Sequence, residues 1–155
     1  MPRARKVLAL ALLAAAALAG CGGGESDEDK AAEKQLRASG APTPVCADQV
    51  TDPATVPAAF PADFPLPDGA VIYGSERRSG GRTIVYAVVD RDVKAVLKQL
   101  QDGMKSAGFT LAEGEVEARD AESNWTGNGY TGRWAIREIA GCTEQTSVTV
   151  LTAKG

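Results

Sequence analysis

The chain has 155 residues, 44% of them hydrophobic, with 17 lysines and arginines against 20 aspartates and glutamates. An acidic chain with no basic tract argues against nucleic acid as a partner and against electrostatic docking on anionic lipid. It contains no histidine, the commonest general base and metal ligand, and neither a G-x-S-x-G nor a phosphate-binding loop, so the sequence predicts no catalytic residues, no metal and no cofactor.

The first element is an apolar run. Val7 to Ala19 are thirteen consecutive apolar residues. As a helix they reach roughly 20 Å, short of the roughly 30 Å, or about 20 residues, that a bilayer core requires. Arg3, Arg5 and Lys6 precede the run, and the small residues Ala19 and Gly20 follow it. That is the order of a secretory signal. Leu18-Ala19-Gly20-Cys21 resembles the lipobox of bacterial lipoproteins, in which a peptidase cuts before a cysteine carrying a diacylglyceryl group. The resemblance implies a removed signal peptide over 1–20 and lipidation (palmitate or a similar chain) at Cys21. It implies a location at the extracytoplasmic face of a bacterial cell membrane. Two acyl chains hold at about 0.8 kcal/mol per buried CH₂, so no spanning helix is needed. An ordinary signal with a coincidental cysteine is the alternative. The resemblance ends within the first two dozen residues and carries no activity to the domain beyond.

Residues 21–44 read as a flexible tether. Gly22 to Lys30, GGGESDEDK, has nothing to bury, and the nine residues AAEKQLRAS that follow are too few for a stable helix. Loss of residues 1–20 leaves fourteen basic against twenty acidic residues, a net charge of −6. From Val45 onward 111 residues remain, enough for one domain over 45–155 with one modest core. With Cys21 assigned to lipid, Cys46 and Cys142 form an even pair, most simply a disulfide in an exported chain. It closes a loop of nearly the whole domain, a constraint of about 4 to 5 kcal/mol in the chain-entropy model. Free thiols or a redox pair are the alternatives, with no C-x-x-C to support them.

Seven of the eight prolines lie between Pro42 and Pro67, so residues 45–69 read as an extended strap rather than a helix or a central strand. Its Val56, Phe60, Phe64 and Leu66 are apolar residues that a free linker lacks. A strand over 70–76 and a turn at RRSGG lead into the strand RTIVYAVV, apolar on both faces and therefore central. Asp90 or Asp92 then caps an amphipathic helix, with Val93, Val96, Leu97, Leu100, Met104 and Ala107 on one side. Gly108 suits its left-handed C′ position, and Gly103 marks close packing. A strand over 109–118 carries Glu113, Glu115 and Glu117 as a solvated face. Strands over 130–139 and 146–152 complete an α+β domain. It is predicted as an antiparallel sheet of about five strands, ordered ββαβββ, with one amphipathic helix packed on one face.

One segment suggests binding. SNWTGNGYTG, residues 123–132, reads as a glycine-rich loop holding Trp125 and Tyr130, with Trp134 just beyond. Trp134 reads as core; Trp125 with Asn124 and Tyr130 is the candidate binding site for a partner or sugar ring. The expected function is a lipid-anchored, non-catalytic surface module that binds a protein or envelope component. The alternative is a carrier holding a small apolar or glycan ligand between strap and sheet. The two differ in whether the sheet face left uncovered by the helix is filled by Phe60, Phe64 and Leu66 or forms a groove.

Overall fold

Residue alternation in the second strand sets the centre of the molecule. In a computed structural model describing residues 42–155, β2 (Arg82–Val89) lies between β1 (Val71–Arg78) and the C-terminal strand β6 (Thr146–Lys154). Val85, Ala87 and Val89 face the helix side, while Tyr86 and Val88 are buried on the other. Cys21 and residues 1–41 lie outside the described residues.

The one α-helix among the described residues, α1 (Val93–Ser106), starts at Asp92, whose Oδ1 accepts a hydrogen bond from Ala95 N at 2.9 Å. It ends at Gly108, with φ of +80°, and Phe109 N returns to donate to Met104 O at 2.9 Å. Phe109 is thereby folded under the last turn and buried. From there β3 (Thr110–Val116), β4 (Asp120–Gly127) and β5 (Tyr130–Glu138) meander back towards β2. All pairs are antiparallel, in the order β1-β2-β6-β5-β4-β3.

The sheet therefore has six strands, not about five. The additional one is β4, which the sequence reading merged into a glycine-rich loop. Its inward positions are Ala121, Ser123 and Trp125, of which one alone is large and apolar, and its remaining residues are Asp, Glu, Asn, Thr and Gly. Such a segment has weak intrinsic strand preference; pairing with β3 on one side and β5 on the other makes it a strand. The loop itself shrinks to Asn128-Gly129, both at positive φ.

The proline-rich strap wraps one edge of the sheet instead of lying across one face. A disulfide joins Cys46 to Cys142, with Cα atoms 5.6 Å apart, and holds the strap's start on the face opposite α1. Ala54 N then donates to Ile72 O of the edge strand β1 at 2.8 Å. Beyond it, Phe60 and Phe64 are buried on the same side as α1, where Leu66 packs beside them. They do not cover the face that the helix leaves free. A turn with Ala70 N donating to Pro67 O at 3.0 Å delivers the chain into β1.

Gly103 is the contact between helix and strap. A Cβ built there lies 2.9 Å from Pro65 Cβ. Alanine at Gly103 gains about 1 kcal/mol of helix propensity but overpacks a rigid proline ring, typically at about 1 to 3 kcal/mol. Gly103→Ala is expected to lower the midpoint of urea denaturation. A raised midpoint would show that the strap yields.

Candidate binding surface

The segment singled out from sequence is an interior. Trp125 and Trp134 are both fully buried, at 0% and 1% exposure. The expectation of an exposed Trp125 is corrected for a register reason. Trp125 pairs with Gly132, and a Cβ on Gly132 would lie 2.6 Å from Trp125 Cζ2. The indole thus lies over a residue with no side chain. Phe64 and Phe109 close over it, with ring centroids 5.2 and 5.3 Å away. Phe60 extends the cluster by an edge-to-face contact with Phe64 at 5.3 Å. The three predicted site residues do not converge. Tyr130 is half-buried against this core, whereas Asn124 points to the other side of the sheet and donates to Glu113 O at 3.3 Å.

The other side of the sheet is the surface that sequence reasoning missed. Its rungs follow from the pairing register. Tyr86, Thr149, Ala135 and Glu122 form one, and Ile84, Leu151, Arg133 and Asn124 form the next. Ile84, Thr149, Leu151 and Ala135 are half-buried, with no helix above them. Ion pairs border this strip: Arg133 with Glu122, and Arg137 with Asp120 at 3.2 Å. At the β1 end, Arg78 pairs with Glu76 at 2.6 Å, and Tyr86 Oη donates to Glu76 Oε1 at 3.0 Å. Exposed pairs of this kind contribute little stability, about 0 to 1 kcal/mol each, so they shape the charge of the surface more than they hold the fold. The signal in the sequence was the alternation of Arg133 and Arg137 with Trp134 and Ile136, which marks β5 as having one wet face.

Burial raises Tyr86 to about 12, helped by the hydrogen bond and negative charge of Glu76. Burial also raises Tyr73 to about 12, with the neighbouring Tyr86 adding to it. The two rings stand 6.2 Å apart. A separate groove of about 450 Å³ lies at the start of α1, where Lys94 stands among Asp92, Glu138 and Glu144. The helix end there is already capped by Asp92. Among the described residues, no group of three or more His, Cys, Asp or Glu is placed to hold a metal ion, and no helix is long and apolar enough to cross a membrane.

Two measurements test this geometry. Trp125→Ala is expected to destabilise the domain as much as Trp134→Ala, each by about 3 to 5 kcal/mol, as truncation of a buried ring does. A loss below about 1 kcal/mol for Trp125→Ala, the range of surface changes, would place that ring outside the core. Both phenols, one buried and one half-buried, ionise later in the folded chain than in the unfolded one, where tyrosine titrates near pH 10. Their contribution is therefore intact below about pH 10 and lost as pH rises to about 12. Urea midpoints are expected to fall across that window, less steeply in a Tyr73→Phe, Tyr86→Phe double variant. Equal slopes would count against the burial of these phenols.

Compared with known proteins, the chain matches no protein-family model and no curated protein.

Proposed function

We propose that the chain is a lipid-anchored, non-catalytic protein of the extracytoplasmic face of a bacterial cell membrane. It binds another envelope protein through the helix-free face of its sheet. The anchor rests on the lipobox resemblance at Cys21 and on the order of basic, apolar and small residues before it. The binding role rests on one observation: the half-buried strip of Ile84, Thr149, Leu151 and Ala135, bordered by paired charges. An apolar centre inside a polar, charged rim is the anatomy of a protein interface.

Against a ligand carried between strap and sheet stands the packing of the strap's second half on the helix side. Phe60 and Phe64 are 4% and 6% exposed and pack directly on the sheet side of the strap, so the interval offered to a ligand is already filled. This supports the surface module over the carrier.

Cys21→Ser is expected to shift the protein out of the detergent phase on partitioning, and wild-type partitioning of that variant would refute the anchor. For the binding face, Leu151→Asp places a charge in the centre of the strip while leaving the opposite core untouched. Cross-linking in intact membranes is expected to lose a specific adduct in this variant. An unchanged adduct pattern in a folded Leu151→Asp protein would move the interface elsewhere.

A further inference from the structure

The start of the strap covers a second apolar patch on the same sheet face. Val71, Tyr73, Val88, Ile139 and Cys142 lie beneath Cys46, Ala47 and Val50. The patch is continuous with the open strip, because Val88 and Tyr86 are alternate residues of β2 and Tyr86 borders Ile84. A Cβ on Gly74 would lie 3.6 Å from Pro42 Cγ and 3.7 Å from Tyr86, so the described chain begins over this junction.

The covering arm is weakly held apart from one covalent bond. Pro42, Pro44, Val45, Cys46, Ala47 and Val50 are half-buried and none is fully buried, while Thr43, Asp48, Gln49 and residues 51–56 are exposed. The short 3₁₀ turn Ala47–Gln49 buries no residue fully. Its polar tie to the far hairpin is Ala47 N donating to Gln145 Oε1 at 2.9 Å. Against these contacts stands the backbone entropy of ordering the whole arm. The second half of the strap is secured independently, by Phe60 and Phe64 in the aromatic cluster on the opposite side of the sheet. The disulfide therefore secures the half of the strap that the aromatic cluster does not reach.

We propose that residues 42–50 are a redox-controlled lid: reduction of Cys46–Cys142 releases them from the sheet and uncovers Val71, Tyr73, Val88 and Ile139, while the six strands and α1 stay folded. Cys46 is the less buried of the two, half-buried where Cys142 is 8% exposed, and is the partner taken for attack. A dithiol reductant attacks Cys46 Sγ as a thiolate, the S–S bond breaks, and Cys142 leaves as a thiolate that takes up a proton. The reductant's second thiol then displaces Cys46 from the mixed disulfide as a thiol. Two electrons and two protons pass to the protein, and the reductant ends as a disulfide. As regulation of the open face, the lid rests on the reading of that face as a binding surface; its opening does not.

Hydrogen exchange tests it at 20 °C on three forms of the domain. These are the oxidised protein, the protein reduced with a small dithiol, and the Cys46→Ser, Cys142→Ser double variant. The hydrogen-bonded amides of the lid, those of Ala47, Gln49 and Val50, are expected to lose protection by about tenfold or more in both reduced forms. Amides of β2, β6 and α1 are expected to stay well protected. Binding of an apolar dye is expected to rise together with the loss in the arm. An arm that stays protected without the bond overturns the proposal. Loss of protection in the strands to the same extent, complete unfolding included, also overturns it, because the bond then holds the fold and not a lid. If the arm opens but the membrane cross-link lost in Leu151→Asp is indifferent to reduction, the lid stands and its control of the open face falls.

Discussion

The insertion of the C-terminal strand between β2 and β5 is the constraint on which the rest of the molecule depends. Without β6 there are two separate pieces, the β1–β2 hairpin and the β3–β4–β5 meander, joined by a helix. β6 pairs along its length with both, Val150 meeting Val85 on one side and Trp134 on the other. This one row puts the buried residues of both pieces on a common face, and α1 and the strap then close over that face. The pairing is non-local in sequence, so closing the sheet costs chain entropy before its contacts are made.

Two edges remain once the sheet is closed, and each is managed differently. At β1 the strap passes over the edge and takes up the Ile72 carbonyl, so the open backbone is partly occupied by the chain itself. At β3 no element among the described residues covers the edge. There Glu113, Glu115 and Glu117 are all exposed, and the register shifts between Leu111 and Gly114. Charge and a bulge are the usual devices that keep an edge strand from pairing with another chain. The three carboxylates are explained by that role.

The two faces of the sheet divide the chemistry of the domain. On the helix side the aromatic cluster of Phe60, Phe64, Phe109 and Trp125 brings strap, helix end and β4 into one apolar body. Asn128 adds a polar tie at the periphery, donating to Ala107 O at 3.0 Å and to the Asp63 carboxylate. On the other side, polar and apolar residues are interleaved, and the covering arm packs on Val71, Tyr73 and Val88 of β1 and β2 and on Ile139 and Cys142 beside them. An interior of this kind leaves recognition to the surface, which is why the candidate interface lies where β5 turns its arginines outward.

Much of this was written in local sequence. The helix, its Asp cap, its glycine stop and the return of Phe109 depend on interactions within a few residues, and each was legible from spacing alone. So was the central position of β2, because alternation with apolar residues at both parities has only one place in a sheet. The lipobox resemblance at Cys21 is likewise a property of a short stretch, one that lies outside the described residues. Pairing of Cys46 with Cys142 was readable from their even number once Cys21 was set aside on the lipobox resemblance. The identity of β4 was not. Ser123, Asn124, Trp125 and Thr126 carry no strand periodicity of their own, and only the neighbours on both sides supply it. For the same reason the position of Trp125 could not be read from its polar sequence neighbours: its contacts are Phe64, Phe109 and the bare backbone of Gly132, brought together by strand register. The candidate interface was not legible as a surface, since its rungs join residues of β2, β6, β5 and β4 whose adjacency exists only after β6 has taken its place.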